Sequence, residues 1–169
     1  ERKLEDFLDE DSQSYLDYIK QASSRMSTLV TGLLDHATIG KNKEVETVDL
    51  DLMMKAVEDD LNLQIDNSKA ELSFSNMPVM QGYRTELRLL FQNLISNGIK
   101  FKAEHRTPIV RVSARKEDQG WLFTVSDNGI GISGEYLDKI FAIFQRLHPN
   151  DEYQGTGIGL AHCKKIVEL

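Results

Sequence analysis

The chain has 169 residues and a formal net charge of −7, which is enough for one domain and an additional helical element. The acidic balance excludes a general nucleic-acid binder, which needs clustered Lys and Arg, and no apolar run approaches the roughly 18 residues of a membrane span. The single cysteine, Cys163, cannot form an internal disulfide, so we expect a reducing, cytoplasmic location.

The first 40 residues predict a long helix, because apolar or small residues recur at alternating spacings of three and four. These residues are Leu16, Ile19, Ser23, Met26, Val30, Leu33 and Ala37. The seam indicates a helical bundle, and the alternative is a single amphipathic helix packed on its own domain. Gly40 and the following KNKE predict a helix end and a linker. We therefore expect a helical segment over residues 1–42 and a second domain over 43–169.

In the second domain, short strands alternate with helices. Strands are predicted over residues 45–50, 71–75, 78–82, 108–117 and 120–128, and helices over 52–70, 85–102, 133–144 and 157–169. Asp51 and Thr85 are the expected starts of the first two helices. The two longest strands alternate apolar and polar residues, so each buries one face. This order predicts an α+β fold, a two-layer α/β sandwich preceded by a bundle-forming helix.

Three polar residues lie on one face of the helix predicted for 85–102. Asn93 and Asn97 are four residues apart, and Lys100 follows three residues later. One interpretation is a solvated polar face. The other is a cation and phosphate site, because an Asn oxygen suits Mg²⁺, which takes few protein ligands plus phosphate oxygens, and a lysine pairs with phosphate.

Two glycine runs frame the rest of the domain: DNGIGI at 127–132 follows a strand, and GTGIGL at 155–160 opens a helix. Asp127 is a candidate acceptor for an exocyclic amine such as that of adenine, although Asp-Asn-Gly is also ordinary turn chemistry. A helix N-terminus binds anions through its free N–H groups, and the alternative is a glycine-rich linker. Residues 148–156 predict a lid over a ligand, with Phe141 and Phe144 packed in the core at its base.

Together these stretches resemble the ATP-binding domain of sensor histidine kinases, in the superfamily of gyrase-type topoisomerases, mismatch-repair ATPases and a heat-shock chaperone. NLISNGIKF resembles the N box, DNGIGI the G1 box, KIFAIFQRL the F box and GTGIGL the G2 box, in the family's order. The sequence FQRLH is most similar to phytochrome-type kinases, and STLVTGLLDHATIGK resembles the second helix of the dimerisation and phosphotransfer hairpin. The resemblance implies a Bergerat-type ATP-binding fold in a fragment of a longer protein, truncated at its C-terminal strands.

The resemblance implies ATP and Mg²⁺ as cofactors and assigns roles by position. Asn97 would coordinate Mg²⁺, and Asn93 would line the same site. Lys100 would contact phosphate, Phe101 would sit over the nucleotide and Asp127 would hydrogen-bond the adenine amine. The glycines that would shape and hinge the pocket are Gly129, Gly131, Gly155, Gly157 and Gly159. The remaining expected binding residues are Ile130, Ile132, Arg146, Thr156, Ile158 and Leu160.

Asn93 bears on the expected activity. The ATP-hydrolysing members of the superfamily carry a glutamate there as base for water, and an amide cannot take the proton. The resemblance therefore implies that the γ-phosphate passes to a histidine and then to a response-regulator aspartate. The histidines of the chain, none of which has the context of a phosphoacceptor, are His36, His105, His148 and His162. No catalytic residue is thus expected within this sequence.

The expected partners are a second copy of the chain through the helical bundle, a response regulator, and an N-terminal sensor domain of the full-length protein. We expect neither nucleic-acid binding nor membrane insertion by this part. Two alternatives remain: a nucleotide-binding or dimerisation module without phosphotransfer, and an ATPase. Phosphorylation of a supplied acceptor helix tests the former, and steady ATP hydrolysis would support the latter. Gly98 stands where the family usually has Ala, at an expected cost of about 1 kcal/mol.

Overall fold

The computed structural model describes residues 9–41, 44–118, 120–147 and 155–169. The chain forms two compact units, one ending at Ala37 and the other beginning at Thr38. The domain division predicted between residues 42 and 43 stays a prediction. The secondary structure elements are α1 (Glu10–Thr38), β1 (Glu46–Asp49), α2 (Leu50–Asp60), α3 (Asn62–Ser68), β2 (Glu71–Ser75), β3 (Val79–Gly82), α4 (Arg84–Lys100), β4 (Ile109–Glu117), β5 (Gly120–Asp127) and α5 (Gly159–Val167).

Helix α1 is the long helix that the sequence predicts. Asp9 precedes it and accepts the backbone N–H of Ser12 at 2.9 Å, which satisfies one of the free donors of the first turn. Its seam residues Leu16, Ile19, Met26, Val30 and Leu33 are all exposed in this chain. A contiguous apolar stripe of this kind is typical of a surface that meets a partner, and the bundle stays a prediction.

Helix α2 is capped by Asp49, whose carboxylate accepts the N–H of Leu52 at 3.1 Å. The prediction of Asp51 as the cap is therefore wrong, because Asp51 lies inside the first turn. The predicted helix over 52–70 is also interrupted. Leu61 leaves helical geometry with ψ of 5°, so a separate helix α3 follows.

The strands form two sheets. In the first, β1 pairs antiparallel with β3. In the second, β4 lies between β2, which is parallel to it, and β5, which is antiparallel. Val110, Val112 and Ala114 of β4 are buried, whereas Arg111 and Arg115 between and beyond them are exposed. This alternation confirms the prediction for β4, and in β5 half-buried residues likewise alternate with exposed ones.

Helix α4 packs on the sheet and on α5, which gives the predicted two-layer α+β arrangement. The main core is formed by Val48, Leu50, Met53, Met54, Val57, Leu61, Phe91, Ile95, Ile99, Val110 and Val112. The ring of Phe91 meets the ring of Phe123 edge-on, with centroids 5.4 Å apart. A second cluster contains Ile39, Leu90, Cys163 and Ile166. Helix α4 thus contributes to both clusters, and its polar side, with Asn93, Asn97 and Lys100, lines a cavity.

Two further helix predictions differ from the structure. Helix α4 begins at Arg84 rather than Thr85, and Tyr83 before it makes no side-chain cap. The helix predicted over 133–144 is wrong: a 3₁₀ helix over Gly134–Tyr136 is followed by turns. Phe144 has a φ of 66°, which an L-residue does not adopt inside a helix.

No helix within the described ranges is long and apolar enough to cross a membrane.

Candidate functional site

A cavity of about 490 Å³ lies beside α4, the end of β5 and the start of α5. This volume is within the range of roughly 300–1,000 Å³ that is typical of small-molecule sites. The sequence-predicted residues that line it are Asn93, Asn97, Lys100, Phe101, Asp127, Ile130, Gly131, Ile132, Arg146, Gly155, Thr156, Gly157, Gly159 and Leu160. The structure therefore brings most of the predicted set into one place.

The polar face of α4 forms one wall of the cavity. The Nδ2 of Asn93 is buried and has no hydrogen-bond partner among the described residues. A buried donor without a partner costs about 1–3 kcal/mol, so a ligand or water that accepts from Asn93 is favoured. The Oδ1 of Asn93 faces the start of α5, because a Cβ added at Gly159 would lie 2.9 Å from it.

Lys100 lies at the C-terminal end of the same wall. Its Nζ is 4.0 Å from the centroid of the Phe101 ring, which is within cation–π range. Burial, and then the nearby charge of Arg146, lower the pKa of Lys100 below its ordinary value of 10.5. Both causes disfavour the charged ammonium. An anion bound between Lys100 and Arg146 would offset the repulsion between the two cations.

Asp127 ends β5, starts a tight turn and lies beside α4, because a Cβ added at Gly98 would lie 3.3 Å from the Cβ of Asp127. Its Oδ1 accepts the backbone N–H of Gly129 at 2.8 Å, and no other hydrogen bond joins this carboxylate to the described residues. The next amide, that of Ile130, donates to the carbonyl of Phe101 at 3.0 Å. The turn therefore fixes Asp127 relative to the end of α4.

Asn128 does not line the cavity but supports the Asp127 turn, a role that the sequence did not predict. Its Oδ1 accepts the N–H of Ile109 at 2.8 Å, and its Nδ2 donates to the carbonyl of Thr107 at 2.9 Å. These two bonds tie the Asp127 turn to the start of β4. The signal available in the sequence was the Asn inside DNG, a residue type that commonly bonds to nearby backbone.

The second glycine run approaches the turn segment that contains Arg146. Gly157 has a φ of 73°, and a Cβ there would lie 2.7 Å from the carbonyl oxygen of Gln145. Only glycine combines this dihedral with so close an approach. Helix α5 accordingly begins at Gly159, two residues later than predicted.

Two of the predicted residues do not line the cavity. Gly129 supports its wall from behind, and Ile158 is 1% exposed and belongs to the hydrophobic interior. Phe141 and Phe144 are also placed differently from the prediction, because both are exposed rather than packed in the core. Of the predicted lid, residues 148–154 lie outside the described residues.

The sequence did not predict several residues that line the cavity: Leu94, Ser96, Gly98, Val125, Ile140, Gln145 and Leu147. Part of the signal for them was periodicity. Ser96 lies three residues after Asn93 on a helix, and Val125 lies two residues before Asp127 on a strand. Gly98 allows close packing, because a Cβ there would lie 2.9 Å from Cγ2 of Val110.

No described histidine is among the residues that line this cavity. His36 is in α1 and His162 is buried in α5. His105 is in an exposed turn, with Nε2 3.7 Å from Oε1 of Glu104. His148 lies outside the described residues. Within the described ranges, no group of three or more His, Cys, Asp or Glu side chains is placed to hold a metal ion.

Comparison with known proteins identifies the family. Residues 82–169 match the family described as "Histidine kinase-, DNA gyrase B-, and HSP90-like ATPase". The chain belongs to this family. The match begins at the last residue of β3 and contains α4, the Asp127 turn and α5, so it covers every element that lines the cavity.

The curated relatives are histidine kinases and phytochromes. Phytochrome-like protein Cph1 from Synechocystis sp. is 37% identical over 169 residues, which is 99% of this chain and 22% of that protein. Hybrid signal transduction histidine kinase B from Dictyostelium discoideum is 29% identical over 96% of this chain and 9% of that protein. The chain thus spans about a fifth or less of the length of these relatives.

Solved structures with the same fold are also histidine kinases. Full-length ShkA, crystallised in complex with AMPPNP, has a TM-score of 0.70 and 22% identity, covering 95% of this chain and 34% of that one. The catalytic domain of histidine kinase ThkA has a TM-score of 0.63 and 23% identity, covering 74% of this chain and 80% of that one. The predicted fold, the catalytic domain of a histidine kinase, is confirmed.

Proposed function

We propose that this chain binds ATP with Mg²⁺ and transfers the γ-phosphate to a histidine, for relay to a response-regulator aspartate. One observation carries the proposal: Asn97 and Lys100 of α4 line one cavity of about 490 Å³ together with Asp127 at the end of β5. Family membership supports the nucleotide, and the kinase relatives support the phosphotransfer.

The Asp127 turn suits the adenine end. One carboxylate oxygen of Asp127 is held by the N–H of Gly129 at 2.8 Å, which leaves the other to accept a hydrogen bond from an exocyclic amine. The apolar side chains of Ile130 and Ile132 lie on the same cavity wall, where they would contact the base. A charged acceptor gives roughly twice the strength of a neutral one.

Lys100 and Arg146 suit the phosphate end. Both line the cavity, and their proximity contributes to the lowered pKa of Lys100. Two cations that repel each other in a partly buried site favour a multivalent anion between them. We assign this end to the triphosphate for that reason.

Asn97 would hold Mg²⁺. A site without a carboxylate cluster among the described residues fits a cation bound mainly by phosphate oxygens, to which the protein adds one amide oxygen. Mg²⁺, when bound, would neutralise charge on the phosphates. Asn93 would contribute its buried Nδ2, which has no partner in the described part of the chain, as a donor to a phosphate oxygen or to a water.

The amide at Asn93 favours phosphotransfer over ATP hydrolysis. An amide at Asn93 cannot accept the proton of an attacking water, so bound ATP would persist. In the transfer, a P–N bond forms between the γ-phosphorus and an imidazole nitrogen of the acceptor histidine. The bond to the β,γ-bridging oxygen breaks, ADP leaves with that electron pair, and the imidazole loses its proton.

The partners are part of the proposal. The exposed seam of α1 would pair with a second copy of the chain, because a seam at heptad spacing buries its apolar residues only in a bundle. The relatives are several times longer than this chain, which supports a sensor domain in the whole protein.

The first test is calorimetric titration of the chain with AMPPNP, with and without Mg²⁺. Asp127→Asn keeps an acceptor for Gly129 but presents an NH₂ group to the adenine amine, so two donors face each other. Asp118→Asn makes the same charge change in the β4–β5 turn and is the matched control. We expect Mg²⁺-dependent binding that Asp118→Asn retains and Asp127→Asn loses by at least tenfold.

Either of two results would overturn the proposal. One is the absence of AMPPNP binding by the unmodified chain with Mg²⁺. The other is equal AMPPNP binding by Asp127→Asn and Asp118→Asn, which would show that Asp127 makes no contact with adenine. Steady release of phosphate from ATP would instead favour an ATPase and contradict the role given to Asn93.

A further inference from the structure

A pair of hydrogen bonds joins the short helix α3 to the wall of the cavity. Nε2 of Gln64 donates to the carbonyl oxygen of Ser96 at 3.1 Å. In return, Oγ of Ser96 donates to Oε1 of Gln64 at 3.0 Å. Both residues are partly buried, and 32 residues separate them in sequence. The pair uses a donor and the acceptor of the Gln64 amide on a single partner.

Ser96 occupies a sensitive position in α4. It lines the cavity, directly precedes Asn97 and lies one turn before Lys100. Helix α4 ends at Lys100, and the amide of Phe101 closes the last turn by donating to the carbonyl of Asn97 at 2.9 Å. The last turn of a helix has carbonyls without intrahelical partners and frays readily. Ser96 lies directly before this turn, and the bond from Gln64 ties the Ser96 carbonyl to α3.

Gln64 is itself held in place. Its own carbonyl accepts the hydroxyl of Ser68 at 2.7 Å, which closes one turn of α3. The next residue, Ile65, packs against the main core. The Gln64 side chain does not line the cavity, so any effect on a ligand must act through Ser96.

We propose that Gln64 is a positioning residue that fixes the last turn of α4, and with it Asn97 and Lys100, for the metal and phosphate end of the nucleotide. This inference rests on the proposed function. Partners that orient the groups around a metal commonly change metal affinity 10- to 100-fold when they are lost. The base end, at Asp127, is also tied to the start of β4 through Asn128, so it should respond less.

The test compares the two ends of the ligand. Gln64→Met keeps the size of the side chain and removes both hydrogen bonds. We expect the ratio of AMPPNP affinities with Mg²⁺ and with EDTA to fall about tenfold, while the affinity for adenosine falls much less. Ser96→Ala removes only one of the bonds, so its ratio should fall less. The exchange rate of the Phe101 amide hydrogen should rise in Gln64→Met, because that amide closes the last turn.

Gln81→Met is the matched control. Gln81 donates from Nε2 to Oγ1 of Thr47 at 2.7 Å, in the other sheet, so its loss should leave the Mg²⁺ ratio unchanged. Three outcomes are distinguishable. If the unmodified chain shows no Mg²⁺-dependent binding, the proposed function fails and this inference with it. If that binding exists but Gln64→Met keeps the full ratio, only this inference is overturned. An equal loss for adenosine and AMPPNP would indicate general destabilisation and would also overturn it.

Discussion

Gly129 packs directly against the carbonyl oxygen of Phe101, so closely that a Cβ at Gly129 would overlap this oxygen. The same carbonyl accepts the N–H of Ile130 at 3.0 Å. The contact therefore joins the turn after β5 to the residue that follows α4, at backbone level. Because Asp127 lies on one side of this contact and Lys100 on the other, the two ends of the cavity are held at a fixed separation.

Gly129→Ala should destabilise this junction. The methyl group cannot be accommodated by a side-chain movement, since its neighbour is backbone. Overpacking of this kind costs about 1–3 kcal/mol, measurable as a lower free energy of unfolding in urea, together with weaker AMPPNP binding. Gly134→Ala is the control, because a Cβ at Gly134 meets nothing within 4 Å. Equal stability of the two variants would contradict the role given to Gly129.

The sequence predicted the fold well where one local signal dominates. Strand β2 has the predicted bounds, and the alternation along β4 and β5 identifies their buried faces. The errors fall where tertiary contacts or single dihedrals decide. The break at Leu61 and the positive φ of Phe144 have no strong residue signature. The cap of α2 is Asp49 rather than the predicted Asp51, because aspartate is a good cap at either position and only the backbone geometry selects one.

The sequence identified the motif residues that line the candidate site better than the residues that hold them in place through hydrogen bonds. Asn97, Lys100 and Asp127 stand in stretches whose polar residues follow helix or strand periodicity, and all three line the cavity. Gln64 and Asn128 act through hydrogen bonds to backbone from other elements. Such contacts depend on how the elements pack, and a single sequence does not encode them as a pattern.

Gly98→Ala should destabilise the protein although alanine favours helices. Alanine would gain about 1 kcal/mol of helix propensity, which is the expectation from sequence alone. However, the new Cβ would lie 2.9 Å from Cγ2 of Val110, a stiff side chain that is fully buried. We expect the overpacking cost of about 1–3 kcal/mol to prevail, giving a lower urea midpoint.

A double-mutant cycle isolates this contact. Val110→Ala removes the closest methyl group that Gly98→Ala would meet, so the second substitution should cost less stability in that background, where only the contact with Cβ of Asp127 at 3.3 Å remains. If Gly98→Ala lowers stability equally in both backgrounds, the contact with Val110 is not the cause.

The affinity for a phosphate ligand should decrease with rising pH earlier than an ordinary lysine would predict. Burial and the charge of Arg146 lower the pKa of Lys100. A lysine is charged below its pKa, so Lys100 loses its charge, and its attraction for phosphate, at a lower pH than 10.5. Calorimetric titration with AMPPNP between pH 7 and 10 measures this decrease.

Lys100→Arg is the comparison, because guanidinium stays charged over this range. Its pH profile should be flatter over this range, and adenosine should show no such dependence with either protein. A parallel decrease for Lys100→Arg and the unmodified chain would assign the titration to another group.

Cys163 should be unreactive in the folded chain. Burial raises the pKa of its thiol to about 12, and its Sγ lies 3.9 Å from the carbonyl oxygen of Leu90 between α4 and α5. Since the thiolate is the nucleophile, only on the order of 10⁻⁴ of the thiol is reactive at pH 8. Ellman's reagent should therefore label Cys163 slowly in native buffer and completely in 8 M urea. Rapid native labelling would mean that α5 separates from α4 readily, which would also expose Gly159 and Asn93, and AMPPNP with Mg²⁺ should then slow the labelling.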